Sequence, residues 1–135
     1  MVYLTRKEHF NAAHRLYNPK WSDEQNDQVF GKCANKNYHG HNYNLFVTVK
    51  GEPDADTGII VNLKELSQII KTKILDKLDH KNLNIEVDFL RGIIPSTENM
   101  VKAIWKELQP YLTGCDLHCI KLFETENNFA EYFGD

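Results

Sequence analysis

Near residue 63 the hydrophobic period of this chain changes from two to between three and four, which excludes a fold made of strands alone or helices alone. Upstream, Tyr43, Leu45, Val47 and Val49 share one face of a strand running from His39 to Lys50, with Phe46 and Thr48 on the other. Val2 to His14 alternates less cleanly, setting Val2, Leu4, Arg6, Glu8, Phe10 and Ala12 on one side. Downstream, Leu63, Leu66, Ile69, Ile70, Ile74 and Leu78 have the spacing of an amphipathic helix that ends near Leu78. A second helix starts after Ser96, whose hydroxyl can cap free amides ahead of Thr97 and Glu98, and its stripe is Val101, Ile104, Trp105, Leu108 and Leu112. Leu117 to Phe123 and Phe129 to Phe133 read as two further strands. Pro53 to Gly58 is a turn, with Ile59 to Val61 expected to return as the second arm of a hairpin. Asn18 to Gln28 is polar, carries Pro19 and is expected to be a surface loop. The order predicts an α+β fold with helices on one face of an antiparallel sheet.

With 135 residues and 41% hydrophobic content the chain suits one domain, 1–135, whose core needs no disulfide or structural metal. A formal charge of -3 argues against a nucleic-acid partner. No apolar run approaches the ~18 residues of a membrane span, and MVYLTRKEHF lacks the apolar core of a signal peptide, so a cytoplasmic protein without a membrane partner is expected. Cys33, Cys115 and Cys119 are then expected to be free thiols.

His39 and His41 flank Gly40 at the start of the clearest strand, so both imidazoles project to one side, about 7 Å apart along the chain. Antiparallel pairing of the first two strands would bring His14 beside them. Three imidazoles without a fourth protein ligand match an open catalytic zinc site. His9 lies on the opposite face of its strand and is read as an ordinary histidine. Cys33 sits between Lys32 and the histidine pair, where a cation or metal would raise its thiolate fraction, making it a base, a nucleophile or a ligand. Asp79 and His80 follow the first helix directly and could shuttle protons. Glu124, at a strand end, could accept paired donors from a planar heterocycle. Cys115, His118 and Cys119 are read as packing residues.

FNAAHRL, FGKC, YHGHNY, LDHKNLN, STEN and ETENN, in this order over nearly the whole chain, closely resemble the eukaryotic 6-pyruvoyl-tetrahydropterin synthases. The resemblance implies the tunnelling fold, a four-stranded antiparallel sheet with two helices on one face, assembled as a homohexamer, a dimer of trimers with active sites at subunit interfaces. It implies loss of triphosphate from 7,8-dihydroneopterin triphosphate, with one Zn2+ per subunit on His14, His39 and His41, and leaves room for Mg2+ on the triphosphate. By the same resemblance Cys33 is the proton-abstracting thiolate, Asp79 and His80 assist it, and Glu124 anchors the pterin ring near Thr97 and Glu98. Arg15, Lys32 and Lys81 are candidates for holding the triphosphate. Asn11, Ser96 and Glu126 stand where many relatives carry Ser, Thr and Asp.

Three rivals remain open. A 6-carboxy-tetrahydropterin synthase would share fold, metal and substrate, although there the cysteine typically precedes HGH by three intervening residues and here by five. A pterin-binding module would bind without turnover. A structural zinc protein would need Cys33 as fourth ligand.

Overall fold

Strand β1, Val2–His14, lies antiparallel to β2, His39–Gly51, in an unbroken register that sets His14 opposite His39, Ala12 opposite His41 and Phe10 opposite Tyr43. The computed structural model describes residues 1–135. Even-numbered residues of β1 and odd-numbered residues of β2 face inward. Phe10, Tyr43, Leu45, Val47 and Val49 are fully buried there, each side chain contributing about 1.5–3 kcal/mol. Strand β4, Asp116–Thr125, covers the other edge of β2 and pairs in turn with β5, Asn128–Tyr132. A bulge opposite Thr48 and Val49 shifts the start of β4, so Leu117, Ile120 and Leu122 all reach the core.

Against the inward face pack the two amphipathic helices. Helix α2 begins at Leu63–Ile70, capped by the Asn62 side chain, and continues through a π turn, Lys71–Leu75, and a last α turn, Asp76–Leu78. The π turn lets Ile74, Leu75 and Leu78 stay buried along the same side as Leu66 and Ile70. Helix α3, Thr97–Leu108, starts as expected at Ser96, whose Oγ accepts the Asn99 N–H at 3.2 Å. Leu112 lies beyond its end, after a short 3₁₀ turn, and still packs on the core.

Three expectations need correction. The sheet has five strands in the order β3-β1-β2-β4-β5, not four, because Lys81–Asn82 forms a two-residue β3 parallel to β1. Residues 59–61 form no strand, since both edges of β2 are already taken by β1 and β4. The turn still closes, with the Asp54 N–H donating to the Ile59 carbonyl at 3.0 Å. The second half of the segment expected as a loop, Asn18 to Gln28, belongs to a third helix, α1, Asp23–Phe30, capped by Ser22 and carrying Asp23 and Glu24 in its first turn. Its one buried residue, Asn26, accepts the Asn18 N–H and donates to the Asn18 and Ser22 carbonyls.

Candidate metal centre

His14, His39 and His41 converge because β1 and β2 are paired in the register just described. Their ring centroids form a near-equilateral triangle with sides of 4.6, 5.1 and 4.9 Å, and one nitrogen from each lies within 4.8 Å of the others. His14 is 1% exposed. Its Nδ1 donates to the Pro95 carbonyl at 2.8 Å, which leaves the Nε2 lone pair free, the arrangement found in metal-ligating histidines. Nε2 of His14 and Nε2 of His41 are both buried without a hydrogen-bond partner. Two orphaned acceptors in contact with a third imidazole are costly unless a cation or proton meets them, so the donor set fits a borderline metal such as zinc. Burial pushes both His14 and His41 below the ordinary histidine pKa, favouring the neutral, ligating form.

Glu124 flanks the triangle, its Oε2 3.9 Å from His14 Nε2 and its Oε1 3.7 Å from His41 Nε2. The Thr97 hydroxyl donates to Glu124 Oε2 at 2.9 Å. Glu124, Thr97 and Glu98 line one cavity of about 470 Å³ whose apolar walls include Leu16, Phe30 and Phe129. Cys33 is exposed in a 3₁₀ turn, Gly31–Ala34, that is tied to the end of β1 by the Leu16 N–H donating to the Cys33 carbonyl at 2.7 Å. It is not one of the three groups that converge on a metal position.

Asp79 and His80 form a pair of their own. His80 Nδ1 lies 2.9 Å from Asp79 Oδ2, and the Asn11 N–H donates to Asp79 Oδ1 at 2.9 Å. The Asn11 amide and the neighbouring imidazole hold the Asp79 carboxyl below the usual range. His80 has φ 62, a left-handed conformation that costs a non-glycine residue about 1–3 kcal/mol and clusters at functional positions. No hydrogen bond or ion pair joins this pair to the triangle, but His80, Lys81 and His41 border one open cavity of about 500 Å³. A Cβ on Gly40, in the wall of that cavity, would stand 3.4 Å from the Ala12 carbonyl. Of the other basic candidates, Arg15 stacks on Tyr17 with its guanidinium 3.7 Å from the ring centroid.

His9 is exposed on the outer side of β1. His118 packs between Tyr3 and Phe133, and burial raises the pKa of both Cys115 and Cys119, as suits packing residues. The orienting carbonyl of Pro95 had no signature in the sequence, because any residue supplies one.

A family model described as 6-pyruvoyl tetrahydropterin synthase matches residues 3–135. The chain is 48% identical over 134 residues to the 6-pyruvoyl tetrahydrobiopterin synthase of Dictyostelium discoideum, covering 99% of this chain and 97% of that one. It is 43% identical over 132 residues to the Homo sapiens enzyme of the same name, covering 98% and 91%. The solved 6-pyruvoyl tetrahydropterin synthase of Caenorhabditis elegans superposes with a TM-score of 0.94 at 35% identity, over 99% of this chain and 96% of that one. Matches of this length and identity, on a chain whose fold also agrees, make it an enzyme belonging to the 6-pyruvoyl tetrahydropterin synthase family.

Proposed function

We propose that the chain catalyses the zinc-dependent conversion of 7,8-dihydroneopterin triphosphate to 6-pyruvoyl-tetrahydropterin and triphosphate, a carbon–oxygen lyase step of tetrahydrobiopterin synthesis. The observation that carries this reading is the triangle of His14, His39 and His41 with its two buried, unpartnered Nε2 atoms beside a carboxylate-lined cavity. Those three residues would hold one Zn2+ per subunit. Bound there, the ion would act as a Lewis acid on the side-chain hydroxyls of the substrate and acidify the adjoining C–H bonds.

The remaining work falls to the protein. Glu124 accepts the amino and ring N–H donors of the pterin as a bidentate pair, and Thr97, by donating to Oε2, fixes the carboxylate plane. Glu98 borders the same cavity and supplies a second acceptor. Cys33, as thiolate, removes the carbon-bound proton. His80, whose Nδ1 faces Asp79, keeps Nε2 free to exchange protons with Cys33 and return one to the product. The same reading leaves room for Mg2+ on the triphosphate.

The pair and the thiol meet across a subunit boundary in this proposal, with the protein a homohexamer built as a dimer of trimers. Its support is the helix-free face of the sheet, where Phe46, Phe123 and Phe129 form an aromatic row with centroid spacings of 5.6 and 4.6 Å. One domain over residues 1–135 and a cytoplasmic location belong to the same reading.

Incubating zinc-loaded and chelator-stripped protein with 7,8-dihydroneopterin triphosphate, and identifying products by mass, tests it. Zinc-dependent 6-pyruvoyl-tetrahydropterin plus triphosphate is the expected result. A 6-carboxy product with acetaldehyde would replace the reaction assigned here, and tight binding without product would make the chain a pterin-binding module.

A further inference from the structure

We infer that Asn84 is a positioning residue that keeps the Asp79–His80 pair in register with the strand carrying His14, an inference that rests on the roles proposed above for those groups. After α2 the chain runs along the free edge of β1, and side chains complete the ladder where backbone does not reach. At its start the Asn11 N–H donates to Asp79 Oδ1 at 2.9 Å and the His80 N–H donates to the Asn11 carbonyl at 2.6 Å. Lys81 and Asn82 then pair with Ala12 and Ala13, and the Leu83 N–H donates to the Ala13 carbonyl at 2.8 Å. At its end the Asn84 carboxamide takes both polar groups of Arg15. The Arg15 N–H donates to Asn84 Oδ1 at 2.9 Å, and Asn84 Nδ2 donates to the Arg15 carbonyl at 3.0 Å.

A carboxamide suits this place because it offers one acceptor and one donor side by side, as the peptide of a neighbouring strand would. Aspartate would lose the donor, and alanine both. Arg15 directly follows His14, the last residue of β1 with a partner on β2, so beyond this point the strand is held by the Asn84 clasp together with the Leu16 N–H donating to the Cys33 carbonyl at 2.7 Å. The clasp is itself braced, since the Asn84 N–H donates to Asn82 Oδ1 at 3.0 Å and the Asn82 N–H to Glu86 Oε1 at 2.9 Å. His80, held at φ 62, depends on such bracing to keep its strained backbone. Asn84 bonds to no imidazole of the triangle, so its influence passes through the Arg15 peptide to His14 and through the edge ladder to His80.

The test uses the full-length protein with Asn84→Ala and Asn84→Asp, measuring the Zn2+ dissociation constant by competition with a chromophoric chelator, kcat and KM for 7,8-dihydroneopterin triphosphate, and Tm. Asn84→Ala is expected to lower kcat and weaken Zn2+ binding by about 10-fold each while KM stays within about twofold, the scale of losses when support behind a site is removed. Asn84→Asp, which keeps the acceptor for the Arg15 N–H, is expected to fall between parent and alanine variant. A lower Tm with kcat and Zn2+ affinity equal to the parent's would assign Asn84 a purely structural role and overturn the inference. If the alanine variant does not fold, the aspartate variant decides by the same readouts. A parent that neither binds Zn2+ nor turns over would sink the metal reading and this inference with it, whereas a competent parent with indifferent Asn84 variants would sink this inference alone.

Discussion

At the residue scale the proposed site divides into groups that would hold a metal and a group that would react. His41 offers a buried, unpartnered Nε2 to the triangle, whereas Cys33 is exposed and outside it. His41→Ala is therefore expected to lose the metal, and Cys33→Ala to keep it while losing most turnover. Metal analysis after gel filtration, run beside the product assay, separates the two, and full activity in Cys33→Ala would remove that thiol as the base. The triangle was legible because side-chain parity on a strand is strict, so His39 and His41 had to share a face and His14 had to share one with Phe10 and Ala12. The groups behind it were not. A main-chain carbonyl at Pro95 and a carboxamide at Asn84 act through geometry that no spacing encodes.

At the scale of elements, the start of α3 supplies three things within three residues: the Pro95 carbonyl on His14, the Ser96 cap and the Thr97 hydroxyl on Glu124. Ser96→Ala removes the acceptor for the Asn99 N–H and is expected to cost about 1 kcal/mol, read as a lower urea midpoint at unchanged m. An unchanged midpoint would show that the cap contributes nothing. Periodicity exposed α2, α3, β2 and β4 because each buries a repeating apolar set. It missed α1, which is held by a cap and by Asn26 rather than by an apolar face. It missed β3 because two residues are too few for a pattern and the ladder beyond its flanking residues is completed by the side chains of Asp79 and Asn84. The π turn in α2 was hidden too, since the four-residue spacing of the buried Ile70, Ile74 and Leu78 suits an α turn and a π turn alike.

For the whole molecule, burial of His14 and His41 makes protonation costlier in the folded state than in the unfolded one. Their folded pKa values lie below the ordinary 6.5, so the stability they permit is present above that pH and is lost as pH falls from it through the folded values. Protons also compete with metal for the same nitrogens. Melting chelator-stripped and zinc-loaded protein from about pH 8 to about pH 5 should show a falling Tm in both and a shrinking gap between them. A constant gap would place the ion elsewhere. Subunit number, by contrast, left no trace in the periodicity of one chain, which reports only what that chain buries alone. The pairing of His14 directly opposite His39 carries one more consequence. A slip of one residue between β1 and β2 would break the face-to-face match and scatter the imidazoles, while a slip of two would stretch the triangle along the strands. An ion gripped by all three would stabilise only the native alignment and would so act as a proofreader of strand pairing: chains that zip up out of step would gain nothing from the metal and stay free to reopen.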